Sequence, residues 1–206
     1  MGGGQVKGEN MTDYLILVNS QHPIPPDFRE TVDLVEIRND RGTCFLLERE
    51  TAAHYKALKA YLQEKEGILV DLDSAYRDEA SQQRIWDEFT ATFGSAYAEK
   101  YAAIPGTSEH HTGLALDVCL IKEGRVIDDN DEMNAETEIF DRIYPHLARF
   151  GFIHRYKHEC WHYRYVGGKE TARKIAETGC SLEEYLAGAE RAKARKSPLQ
   201  STAKYD

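Results

Sequence analysis

The chain has 206 residues, enough for one domain with a sizeable core and too few for several. Acidic residues outnumber basic ones by 35 to 26, and the formal net charge of −9 argues against nucleic acid or an anionic membrane surface as a main partner. No apolar run is long enough to span a bilayer, which leaves the class of ordinary globular proteins.

The start, "MGGGQVKGENM", reads as a flexible leader over residues 1–13, with Met11 as an alternative start. No signal-peptide core is visible, so a complete chain is expected in the cytoplasm, and a trimmed one could come from an exported protein. Residues 11–30 are Pro-rich and extended. Short strands are predicted over 31–37 and 43–48. Apolar positions Ala52, Tyr55, Leu58, Tyr61 and Leu62 predict a helix over 49–65. "GILVDL" at 67–72 reads as a buried strand, and Asp78 opens a helix over 78–93. A strand at 113–121 is followed by the turn "KEGR". Residues 135–150 read as a helix containing Pro145 and ended by Gly151. Strands are expected at 151–157 and 161–166. "SLEE" at 181–184 is a capping box for a last helix near 181–194, before a disordered tail over 195–206. Strands and helices mix without regular βαβ alternation, so the fold class is α+β in a single domain. Cys44, Cys119, Cys160 and Cys180 are scattered without a C-x-x-C pair, which favours free thiols.

Two stretches carry chemistry. "HECWH", His158 to His162, fits H-E-x-x-H, which on a helix places two zinc ligands on one face. Its flanks are aromatic and β-branched and bounded by Gly151 and Gly167-Gly168, which suits strands instead. On extended backbone, residues four apart lie roughly 13 Å apart, too far to share one zinc. The second stretch is "SEHHTGLALD", 108–117. Asp117 falls on a strand beside apolar residues, where an acid is costly unless paired or bound to metal. Gly113 lets the preceding loop fold His110 back toward it. From the residues alone, two metal ligands and a loop-bracing His–Asp hydrogen bond are equally good readings.

"SEHHTGLALD" also resembles the S-x-H-x-x-G-x-A-x-D signature of the VanY/VanX-type D-alanyl-D-alanine carboxypeptidases and dipeptidases, which are hedgehog-like zinc peptidases. "ECWHYRYVG" resembles that family's E-x-W-H segment, and "SAYRDEASQQ" at 74–83 its S-x-Y-R…Q segment. The likeness runs in order from about residue 14 to 187, so a peptidase domain over 14–194 is expected. It implies a central, mainly antiparallel sheet flanked by helices. It further implies one zinc held by His110, Asp117 and His162, with water in the open fourth position. Glu159 would be the general base and later acid, and Arg77 would bind the substrate carboxylate or the developing oxyanion. Ser108 and Gln82 would supply hydrogen bonds to the substrate or to Arg77. His158 would then be a coincidence of spacing, and His111 a variable loop residue. Cys160 stands where the family often has Pro, Ala75 where it often has Gly, and the loop before Glu159 is short.

The implied activity is hydrolysis of the D-Ala-D-Ala terminus of peptidoglycan precursors, with no obligate protein partner. The same zinc site would also serve an L,D-carboxypeptidase or a stem-peptide endopeptidase. A zinc-stabilised binding module needs neither a base at 159 nor a carboxylate clamp at 77.

Overall fold

The computed structural model describes residues 12–196. Of the expected leader and tail, residues 1–11 and 197–206 lie outside the described residues. Strands β1 (Leu34–Arg38) and β2 (Cys44–Glu48) form a hairpin that leads into helix α1 (Arg49–Tyr61). Glu48 caps α1 by accepting from the backbone N–H groups of Glu50 and Thr51. One widened turn, Leu62–Glu66, continues α1 and ends at Gly67 in a left-handed conformation. Strand β3 (Leu69–Ser74) follows, then α2 (Glu79–Phe93), whose Asp78 cap accepts from the Ser81 N–H.

Helix α3 (Ser95–Tyr101) was not foreseen. It has a single buried residue, Ala98, and so leaves no apolar stripe in the sequence. Strands β4 (Ala115–Lys122) and β5 (Arg125–Ile127) form the expected hairpin, with Glu123 and Gly124 both at positive φ, as a tight two-residue turn requires. The predicted helix over 135–150 is α5 (Thr137–Leu147) extended by a 3₁₀ turn, Ala148–Phe150, that ends at Gly151, and an unforeseen short helix, α4 (Asn130–Ala135), precedes it. Asp129 caps α4 through the Asp131 and Glu132 N–H groups, and Glu136, at ψ 40°, separates the two helices. Pro145 is accommodated within α5. Strands β6 (Phe152–His154) and β7 (His162–Tyr165) are shorter than expected. Helix α6 (Lys169–Thr178) was also missed, because it buries only Ala172 and Ile175. The capping box of α7 (Leu182–Lys196) is formed: Ser181 N–H donates to Glu184 Oε2 at 2.8 Å, and Glu184 N–H donates to Ser181 Oγ at 3.2 Å.

The main sheet has five strands and is antiparallel throughout: β3 pairs with β4, β4 with both β5 and β7, and β7 with β6. One face of β4 places Leu116, Val118 and Leu120 in the core, packed with Tyr55 and Leu58 of α1 and Phe140 and Ile143 of α5. Each such fully buried side chain contributes about 1.5–3 kcal/mol through removal from water. The alternation of the strand turns Asp117 to the opposite face. Register then sets Ser74, Asp117 and His162 in one row across β3, β4 and β7. Among the described residues no helix is long and apolar enough to cross a membrane.

Candidate active site

A cleft of about 490 Å³ lies over this row, with Ile85 and Phe89 of α2 and Tyr101 of α3 in its other wall. His110 reaches it from a 3₁₀ turn, Glu109–Thr112, which Ser108 caps through its hydroxyl and Gly113 ends at φ 70°. The left-handed conformation at Gly113 favours glycine, and a Cβ there would also displace the tip of the Leu34 side chain, meeting Cδ2 at 2.6 Å.

The turn sets the chemistry of both histidines in the doublet. His110 donates its Nδ1–H to the Ala75 carbonyl at 2.7 Å, which leaves Nε2 with its lone pair, 3.2 Å from Asp117 Oδ2. Burial, with Arg77 nearby, pulls the His110 imidazole down to about 4. His111 is a brace: it donates Nδ1–H to the Arg77 carbonyl at 2.6 Å and accepts from the Gly106 N–H at 3.0 Å.

His162 presents its other nitrogen. Its Nδ1 lies 2.9 Å from Asp117 Oδ1, and its Nε2 donates to Glu109 Oε2 at 3.1 Å. Burial alone would lower the pKa of this imidazole, but the flanking Asp117 and Glu109 carboxylates outweigh it and raise the group to about 10. Glu109 is itself enclosed and accepts from Arg155 Nε at 2.9 Å. Burial opposes its charge, yet His162, Arg155 and Arg164 hold the carboxyl at about 2. The sequence reading missed Glu109 and Arg155. Glu109 stands between the two assigned residues Ser108 and His110, which was its one signal, whereas Arg155 had none.

The ligand atoms of His110, Asp117 and His162 lie within 4.8 Å of one another, and the Asp117 carboxylate is 13% exposed. Two imidazoles and one carboxylate with an open side toward a cleft match the donor set of catalytic rather than structural zinc. The three residues therefore fit a zinc ion.

Glu159 lines the same cleft, with Oε2 3.9 Å from His162 Nδ1. Burial, together with the charges of Asp117 and Glu109, pushes its carboxyl up to about 7 against the pull of His162 and Arg77. Arg77 lines the cleft too, and its Nε is buried without a hydrogen-bond partner among the described residues. Burial lowers the pKa of this guanidinium, partly offset by Asp117, Glu159 and Asp73. Ser108 faces the cleft, but Gln82 does not. Gln82 is 1% exposed and donates to the Ala103 carbonyl at 2.8 Å, so it supports the cleft wall from behind rather than contacting a substrate.

Segment 155–161 turns rather than running extended, because Glu159 N–H bonds the Tyr156 carbonyl and His162 N–H bonds the Glu159 carbonyl. It is not a helix either. His158 is 48% exposed and lines the cleft, with Nε2 3.2 Å from the Lys100 carbonyl and 3.5 Å from Glu159 Oε1, but it is not one of the residues whose ligand atoms gather at His110, Asp117 and His162. His158 and His162 therefore do not share a metal site, although the backbone between them is a turn and not the expected strand.

An antiparallel sheet that carries a buried His–Asp–His set, with a carboxylate of raised pKa beside it, defines a metallopeptidase. The model of the VanY D-alanyl-D-alanine carboxypeptidase family matches residues 45–168, and the chain belongs to this family. A D-alanyl-D-alanine carboxypeptidase of Enterococcus faecalis (strain ATCC 700802 / V583) is 33% identical over 87% of this chain and 68% of its own length. The solved structure of VanYB in complex with D-alanine-D-alanine is 33% identical, with a TM-score of 0.68 over 84% of this chain and 97% of that one. The LdcB LD-carboxypeptidase, whose structure addresses peptidoglycan recognition, is 28% identical, with a TM-score of 0.68 over 88% of each chain.

Proposed function

We propose that this chain is a zinc-dependent D,D-carboxypeptidase that removes the terminal D-alanine of peptidoglycan precursors ending in D-Ala-D-Ala, the free dipeptide included. The observation that carries the reading is the presence of Glu159 and Arg77 in one cleft with His110, Asp117 and His162. A structural zinc site would have no use for either residue. His110 Nε2, the Asp117 carboxylate and His162 Nδ1 would hold the ion, which would supply an acidified water and a positive charge against the scissile carbonyl.

The remaining work belongs to the protein's own groups. Glu159 takes a proton from the attacking water and returns it to the leaving amine, so that one carboxyl serves as base and then as acid. Arg77, whose Nε has no partner among the described residues, offers its guanidinium to the substrate carboxylate or to the oxygen that gains charge. A chain of net charge −9 needs such a local cation for an anionic peptide end. Ser108 shapes the turn that delivers His110. Gln82 acts at one remove, through the Ala103 carbonyl.

Likeness to a relative solved with D-alanine-D-alanine supports the D,D reading, and likeness to an LD-carboxypeptidase supports the L,D alternative. The test is to incubate the zinc-loaded protein with the dipeptide, a pentapeptide precursor and a tetrapeptide, and to measure released D-alanine. Release from the dipeptide or pentapeptide is expected. Release from the tetrapeptide alone would replace this reading with the L,D one.

A further inference from the structure

A chain of charged contacts leaves the candidate metal site and ends on the last helix. Glu109 divides its carboxylate: Oε2 accepts from His162 Nε2 at 3.1 Å, and Oε1 accepts from Arg155 Nε at 2.9 Å. Arg155 then uses both remaining nitrogens on Glu183 of α7, Nη1 to Oε2 at 3.0 Å and Nη2 to Oε1 at 2.6 Å. Asn19, from the N-terminal segment, donates to Glu183 Oε1 at 3.2 Å. The Tyr156 ring packs between Arg155 and His162, 4.9 Å from the guanidinium carbon and 5.2 Å from the imidazole centroid.

We propose that Arg155 and Glu183 are positioning residues for the metal ligand His162, acting through Glu109. The inference rests on the zinc reading of the site. Its physical basis is the fork geometry of arginine. Two parallel bonds to one carboxylate fix the rotation of the guanidinium plane, so its third donor, Nε, has one direction left. That direction fixes Glu109 Oε1, and the same carboxylate then has one place for Oε2, against His162 Nε2. A histidine held at Nε2 by a carboxylate donates that proton and presents Nδ1 as the ligand nitrogen, with raised basicity. Glu183 is 39% exposed while Glu109 and Arg155 are nearly enclosed, so the outer end of the chain can be altered without opening the core. Neither Arg155 nor Glu183 touches a reacting atom.

The alternative is an ion network that only fastens α7 to the domain. A double-mutant cycle on zinc affinity separates the two. Zinc affinity is measured by competition with a chromophoric chelator for wild type, Glu109→Gln, Glu183→Gln and the double variant, alongside the melting temperature of each metal-free protein. Glu109→Gln is expected to weaken zinc binding about tenfold to a hundredfold, the range for groups that orient a ligand, and Glu183→Gln by up to about tenfold, since it acts through two intervening groups. The double variant should bind zinc no more weakly than Glu109→Gln alone. Arg155→Lys, which keeps the charge and loses the fork, should match Glu183→Gln. Glu183→Gln with unchanged zinc affinity and a lower melting temperature overturns the relay, as do losses that simply add in the double variant. A wild-type protein that binds no zinc overturns the zinc reading itself.

Discussion

His162 Nε2 lies 3.1 Å from Glu109 Oε2, and this contact leaves Nδ1 as the nitrogen that faces Asp117, at 2.9 Å. The Glu109 contact thus occupies Nε2 and leaves Nδ1 as the nitrogen available to the proposed zinc site.

Removing Asp117 tests the ligand set. Asp117→Ala deletes its anionic member and leaves two imidazoles, so zinc content at limiting metal should fall sharply. His158→Ala should keep one zinc per chain, because that side chain points to the Lys100 carbonyl. Metal analysis after gel filtration checks both. Loss of zinc in His158→Ala would restore the H-E-x-x-H reading of the sequence.

Glu159→Ala should retain zinc and lose turnover by about 10²-fold or more, since it removes the group proposed to move the proton. Stopped assays of D-alanine release on metal-quantified protein give the comparison. A variant with near-normal turnover would show that another residue is the base.

Arg77→Ala should leave zinc in place and reduce kcat/KM strongly, because a charge-assisted hydrogen bond contributes about 1.5–3 kcal/mol. Arg77→Lys should recover little of the loss, as the planar fork is gone. If Arg77 grips the terminal carboxylate, amidating the substrate should block cleavage. Equal rates on amidated and free peptides would point to endopeptidase cleavage.

Asp71 allows a test of stability away from the cleft. Its side chain is fully buried, and it accepts from Lys59 Nζ at 2.9 Å and from the Asp40 N–H at 3.1 Å. Burial pushes its pKa up, but Lys59 and the Asp40 amide outweigh this, and the net shift is downward. A depressed carboxyl contributes stability that is complete above its unfolded value, about 3.9, and that fades as pH falls through the folded value. Asp71→Asn should therefore be less stable than wild type at pH 7, and the gap should narrow below about pH 4. Urea unfolding of the metal-free proteins at both pH values measures it.

Much of the site was legible because its residues sit in short local patterns. Asp117 was an acid on an apolar strand, and Gly113 marked the turn that returns His110. What sequence spacing left open, the strand register decides, by pairing Asp117 with His162 across β4 and β7. Helix α3 was missed because it is seven residues long and buries only Ala98, and α6 because its buried side is just Ala172 and Ile175 in a segment otherwise rich in charge. Gln82 was misplaced because its motif gives proximity to Arg77 but not the side of the wall on which the amide lies. Arg155 was missed because its partners, Glu109 and Glu183, are 46 and 28 residues away.

Anomalous diffraction at the zinc edge, from crystals grown with one equivalent of the metal, would locate the ion. One peak is expected, about 2.0–2.2 Å from His110 Nε2, an Asp117 oxygen and His162 Nδ1, with Glu159 outside bonding range. A peak bound by His158, or by His162 Nε2 in place of Nδ1, would contradict the ligand set and the role of Glu109 together.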